Sequence, residues 1–109
     1  MNTRINFLYR DASNYKIYQQ AVIEGELSED QIQDILDARH EGEWFLPSVV
    51  GLDAERFSEE TEDDHPWFEL SEYAFEATND HVTSDVTAEE FYERFMEASE
   101  DWESYVDSE

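Results

Sequence analysis

The chain has 109 residues and carries 30 Asp and Glu against 6 Lys and Arg, a formal charge of −24. That length fits a single domain, residues 1–109, able to bury roughly 65% of the unfolded chain's surface. Such a charge repels nucleic-acid phosphates and anionic membrane leaflets, so the expectation is no direct nucleic-acid binding, no membrane binding, and a preference for basic surfaces.

Aromatic residues make up 15% of the chain, more than an acidic disordered tail contains, and they argue for a folded domain. There is no cysteine, hence no disulfide framework, thiolate metal site or cysteine nucleophile. No apolar run approaches the ~18 residues of a membrane span, and the N-terminus lacks the apolar stretch of a signal peptide. A soluble, cytoplasmic protein is expected.

In chain order, residues 4–9 (RINFLY) alternate as a strand, with Ile5, Phe7 and Tyr9 on one face. A turn-rich link at residues 10–14 leads to a second strand at 15–24, and the two form an antiparallel hairpin. The first helix opens on a capping box, Ser28 with Gln31, and Leu27 is placed to staple onto Ile32. Ile32, Ile35, Leu36 and Arg39 share one face, Glu29 and Asp30 suit the positive end of the dipole, and Gly42 is placed to end the helix.

Residues 43–50 read as a strand interrupted at Pro47, which favours an edge or a bulge. Residues 51–66 read as a loop, with one helical turn at 53–57. Trp67–Leu70 and Tyr73–Thr78 read as a hairpin about Ser71 and Glu72, and residues 79–86 connect it to the last element. That element is a helix. Thr87 and Glu90 form its capping box, Val86 can staple onto Phe91, and Phe91, Phe95, Ala98, Trp102 and Tyr105 or Val106 make an apolar stripe. The resulting fold class is α+β: a small antiparallel sheet of four or five strands with two amphipathic helices packed on one face.

Little catalytic chemistry is visible. His40, His65 and His81 are scattered without metal-binding spacing, and no nucleophile elbow, P-loop or dinucleotide fingerprint occurs. Asp63, Asp64 and His65 are adjacent, so an extended loop points them apart rather than onto one ion. A metal-dependent hydrolase using these three is the enzymatic alternative. The sequence favours no enzyme, no cofactor and no metal. Trp44, Phe45, Trp67, Phe68, Phe75, Phe91, Phe95 and Trp102 read as core, whereas Tyr15, Tyr18, Tyr73 and Tyr92 have rings suited to an interface.

The charge is unevenly placed. Residues 1–52 hold 9 acidic and 4 basic residues, net −5, whereas residues 53–109 hold 21 and 2, net −19. Adaptation to a salty cytoplasm would spread acidity more evenly, so an interaction surface is the favoured reading. The candidate partner-binding carboxylates are Glu59, Glu60, Glu62, Asp63 and Asp64 in the loop, Glu72 and Glu76 in the hairpin, and Glu89, Glu90, Glu93, Glu97, Glu100 and Asp101 along the last helix, beside Glu103. Helical positions i, i+3 and i+4 lie about 5–6 Å apart at Cβ, and alternate strand residues roughly 6.6 Å apart. Rows at such spacings can stand in for phosphates in a basic groove and exclude the true ligand.

Small size, strong acidity, few cations and an α+β layout resemble the DNA-mimic inhibitors of phages and conjugative elements, the antirestriction and anti-CRISPR class. The opening order of INFLYR, YKIYQQAVIEGE and SEDQIQDILDAR is similar to the layout of the N-terminal domain of the ArdA antirestriction proteins, over about a third of the chain. The resemblance implies a mechanism class: a non-enzymatic inhibitor that mimics nucleic acid and blocks the basic DNA- or RNA-binding channel of a host defence nuclease or effector complex. The alternative is an acidic adaptor or chaperone-like module for another basic protein. The sequence leaves the target and the oligomeric state open.

Overall fold

A computed structural model describes residues 1–10, 16–52, 67–102 and 104. Five strands and two helices form an α+β fold: β1 (Asn2–Arg10), β2 (Lys16–Ile23), α1 (Glu29–Asp37), β3 (Trp44–Phe45), β4 (Phe68–Glu69), β5 (Phe75–Thr78) and α2 (Ala88–Ala98). The expected 53–57 turn and the role of Tyr15 lie outside the described residues.

The sheet is antiparallel, in the order β2-β1-β4-β3, with β5 also on β1. β1 and β2 pair along their length, from Thr3 opposite Ile23 to Arg10 opposite Lys16. Alternation sends Thr3, Ile5, Phe7 and Tyr9 of β1 into the core. There they join Ile35 of α1, Phe45, Phe68, and Phe91, Phe95 and Ala98 of α2. The rings pack edge-on, with Phe7 against Phe45 at 5.7 Å and Phe95 against Trp102 at 5.1 Å. Both helices therefore cover one sheet face, and among the described residues the other face is left uncovered by helix.

Both capping boxes are formed. The Gln31 N–H donates to Ser28 Oγ at 3.1 Å and the Ser28 N–H to Gln31 Oε1 at 2.9 Å. The Glu90 and Thr87 N–H groups make the equivalent reciprocal bonds at 3.2 Å each. Leu27 and Ile32 line one shallow depression with Phe75, and Val86 and Phe91 share the core.

Four details depart from the sequence reading. First, α1 ends at Ala38, before Gly42. Glu41 and Gly42 instead have φ of 53° and 76° and form the tip of a tight turn, in which His40 pairs with Trp44 and the His40 carbonyl accepts from Glu43. Two successive positive-φ residues are the signature of a type I′ turn. Second, residues 43–50 are a strand only at Trp44–Phe45. Pro47 begins a 3₁₀ turn, Pro47–Val50, where its missing N–H costs nothing, and Gly51 closes the turn at φ 90°.

Third, the segments around Ser71 and Glu72 are not a hairpin. β4 and β5 both pair with β1, Glu69 opposite Leu8 and Phe75–Thr78 opposite Ile5–Asn2. They are two pieces of one interrupted strand, with residues 70–74 bulging opposite Asn6 and Phe7. The Asn6 N–H bridges the gap to the Ala74 carbonyl at 2.8 Å. Fourth, α2 stops at Ala98 with Ser99 as its cap. Trp102 is buried as its place in the stripe requires, but after a break in the helix.

Candidate functional site

α1 and α2 lie side by side and run in the same direction. Tyr92 O–H donates to Asp34 Oδ2 at 2.7 Å, and four residues further along α1 the Ala38 carbonyl accepts from Nε1–H of Trp102, which follows the end of α2, at 2.8 Å. Both links join α1 to the α2 side of the fold, and both advance toward the C-terminus together.

Each helix turns an acidic face outward. On α1 the exposed positions include Glu29, Asp30, Asp34 and Asp37; on α2 they include Glu89, Glu90, Glu93 and Glu97, followed by Glu100 and Asp101. Ile35 and Leu36 on α1, and Phe91, Phe95 and Ala98 on α2, occupy the opposite, buried sides. Packing on the sheet thus fixes which way the carboxylates point. Neither helix has a basic residue in its last turn. The parallel dipoles place both negative ends near Asp37, Glu97, Glu100 and Asp101, and an open depression between Asp37–Glu41 and Ser99–Trp102 marks that end. At the end of α2 field and side-chain charge add; at the end of α1 they are partly offset by Arg39, which lines the same depression and donates its Nε–H to the Leu36 carbonyl at 2.8 Å.

Some candidates are already engaged. Glu90 belongs to the capping box and lies 3.9 Å from Arg94, which interrupts the row on α2. Glu76 sits on the other face of the sheet, where its carboxylate pairs with Arg4 at 3.3 Å and accepts from Asn6 Nδ2 at 3.3 Å. Arg4 also bonds Asp80, and its guanidinium pKa is raised chiefly by that hydrogen bond. Glu72 is exposed in the bulge between β4 and β5. The structure therefore brings Glu89, Glu93, Glu97, Glu100 and Asp101 together, and keeps Glu76 apart from them. Glu59, Glu60, Glu62, Asp63, Asp64 and Glu103 lie outside the described residues, as does His65.

The α1 carboxylates are the residues that sequence reasoning passed over. Their helical spacing was visible, but their place beside α2 depends on tertiary packing. Cations show the converse pattern. β1 and β2 together contain Arg4, Arg10 and Lys16 and no acidic residue.

Among the described residues, no group of three His, Asp or Glu side chains is placed to hold a metal ion. No described helix is long and apolar enough to cross a membrane. Comparisons with protein-family models, with curated proteins and with solved structures find no match to this chain.

Proposed function

We propose that this protein is a non-enzymatic decoy for nucleic acid, whose acidic helix pair enters the basic channel of a host defence nuclease or effector complex and excludes its DNA or RNA. The observation that carries this reading is the parallel pair of helices with aligned acidic faces on one side of a rigid sheet. Neighbouring helix axes sit about 8–10 Å apart, between the ~6 Å and ~12 Å widths of the two grooves of B-DNA. Two anionic ridges at that separation offer a cation-lined cleft something close to two phosphate strands.

Charge density sets the scale of the mimicry. Glu89, Glu93 and Glu97 recur every four residues, about 6 Å of helix axis, whereas each DNA strand carries a phosphate per ~3.4 Å. The ridges reach about half the density of a duplex. Charge then steers association and sets its salt dependence, and contacts beyond charge must supply the rest of the affinity. Tyr73, 81% exposed beside Glu72, has the amphipathic ring for such a contact.

The test is competition. Protein captured on a defence nuclease should displace labelled DNA, and the complex should weaken steeply with salt. A nuclease that holds this protein and its DNA at once rejects the decoy. The acidic-adaptor reading uses the same surface and is favoured by one observation, the interruption of the α2 row by Arg94, since an adaptor needs no phosphate register.

A further inference from the structure

We propose that β2 is a docking edge for a second copy of this chain, the two β2 strands pairing antiparallel about a two-fold axis at Tyr18. Among the described residues β2 is the terminal strand of the sheet, with one side paired with β1 and no strand on the other. The backbone itself shows which groups face outward. The Val22 N–H donates to Thr83 Oγ1 at 2.9 Å, and the Val22 carbonyl accepts from the Thr83 N–H at 2.9 Å. Val22 therefore points its polar groups away from β1. By the strict alternation of an antiparallel ladder, Gln20, Tyr18 and Lys16 do the same. Thr83 blocks the edge at Val22. Among the described residues no hydrogen bond reaches the outward groups of the other three.

That blockage selects one register. A two-fold axis at Tyr18 sets Tyr18 opposite Tyr18 of the second copy and Lys16 opposite Gln20, so all three open residues are used on each chain. Shifting the axis by one residue toward the C-terminus drives Lys16 against the occupied Val22. Shifting it the other way sets Gln20 opposite residue 14, outside the described strand, and leaves only Lys16 and Tyr18 paired within it. The side chains suit the match. Tyr18 is 76% exposed and would face its own copy, and no like charges stand opposite one another.

The occupant follows from charge. Two copies at −24 repel, so they can meet only where negative charge is missing. β1 and β2 supply that strip, with no acidic residue in Asn2–Arg10 or Lys16–Ile23. Native edges are usually protected by charge, proline or a covering loop; here the loop protects Val22, and Lys16 is the lone charge on the strand.

The absence of native cysteine makes a direct test possible. In a hydrogen-bonded antiparallel pair the opposed Cα atoms lie about 5.5 Å apart, within disulfide reach. Tyr18→Cys should form a disulfide-linked dimer under mild oxidation. Gln20→Cys should not, because residues 20 of the two copies would be roughly 13 Å apart along the strands. Without oxidation, sedimentation of the unmodified protein should show its 12.9 kDa mass doubling with concentration, and added salt should strengthen the dimer by screening repulsion. Tyr18→Glu, which sets two like charges face to face, should leave a folded monomer by circular dichroism. Monomeric behaviour from micromolar to millimolar concentration, equal crosslinking at positions 18 and 20, or a dimer weakened by salt would each overturn the proposal. None of these results bears on decoy activity, which rests on the exposed carboxylates of α1 and α2 and not on the open groups of Lys16, Tyr18 and Gln20.

Discussion

The phenol of Tyr92 on α2 donates to the carboxylate of Asp34 on α1 at 2.7 Å, so the two acidic helices are joined by a hydrogen bond between them. The bond does two things. It sets the rotation of α1 against α2, and it gives one α1 carboxylate a donor in a region crowded with like charge. The Tyr92 pKa is raised, first by this hydrogen bond and then by burial and the nearby negative charge.

A pH prediction follows from that shift. A phenol whose folded pKa exceeds its unfolded value contributes fully below pH ~10 and loses that contribution as pH rises through the folded value. The stability difference between the unmodified protein and Tyr92→Phe should therefore be constant near neutrality and shrink above pH 10. Urea unfolding at a series of alkaline pH values measures it. A difference that grows with pH would contradict the assigned bond.

Trp102 ties the far ends of the helices. It is 4% exposed, its ring packs on Phe95 at 5.1 Å, and its Nε1–H satisfies the Ala38 carbonyl at the end of α1. Trp102→Ala should cost about 3–5 kcal/mol through lost burial and a cavity. Trp102→Phe keeps a ring but leaves the carbonyl without its donor, and should cost about 1–3 kcal/mol. Equilibrium denaturation separates the two values.

Glu41 holds a left-handed backbone at φ 53° that an ordinary side chain resists. With Gly42 following, Glu41→Asn creates the Asn-Gly pair preferred in type I′ turns. The expected gain is about 1 kcal/mol, roughly 4–8 °C in Tm for a domain near this size. A calorimetric scan showing no gain would mean that the tip adopts another conformation in solution.

Glu97 separates stability from function. It lies in the last turn of α2, one helical turn after Glu93 and just before Glu100 and Asp101, at the negative end of the dipole. Glu97→Lys relieves those repulsions and should stabilise the fold by about 0.5–1.5 kcal/mol. The same change should weaken binding to a basic partner. A variant that is more stable and binds equally well would place the contact elsewhere.

The parts of the fold that were legible in the sequence are those decided locally. Ser28 with Gln31 and Thr87 with Glu90 announce helix starts because each box closes over three residues. Ile5, Phe7 and Tyr9 announce a buried strand face because alternation is geometric. The hairpin expected around Ser71 fails for a non-local reason: nine-residue β1 offers an edge long enough for β4 and β5 in succession, and pairing with it wins over local turning. Gly42 turns the chain beyond α1 and does not end it, because a glycine past a helix serves a helix end and a tight turn equally well. For the site, the α2 row was readable from helical period alone. Its neighbour on α1, and the separation of Glu76 onto the far face beside Arg4, follow from packing and register.

The most direct measurement of the central claim compares two neutralised variants in DNA competition on a captured defence nuclease. One removes the ridge on α2, with Glu89→Gln, Glu93→Gln and Glu97→Gln together; the other removes an exposed carboxylate from the other face of the sheet, with Glu76→Gln. The decoy account predicts that the triple variant loses most of its ability to displace DNA and flattens the salt dependence, while Glu76→Gln competes like the unmodified protein. Equal losses in both variants, or undiminished competition by the triple variant, would contradict it.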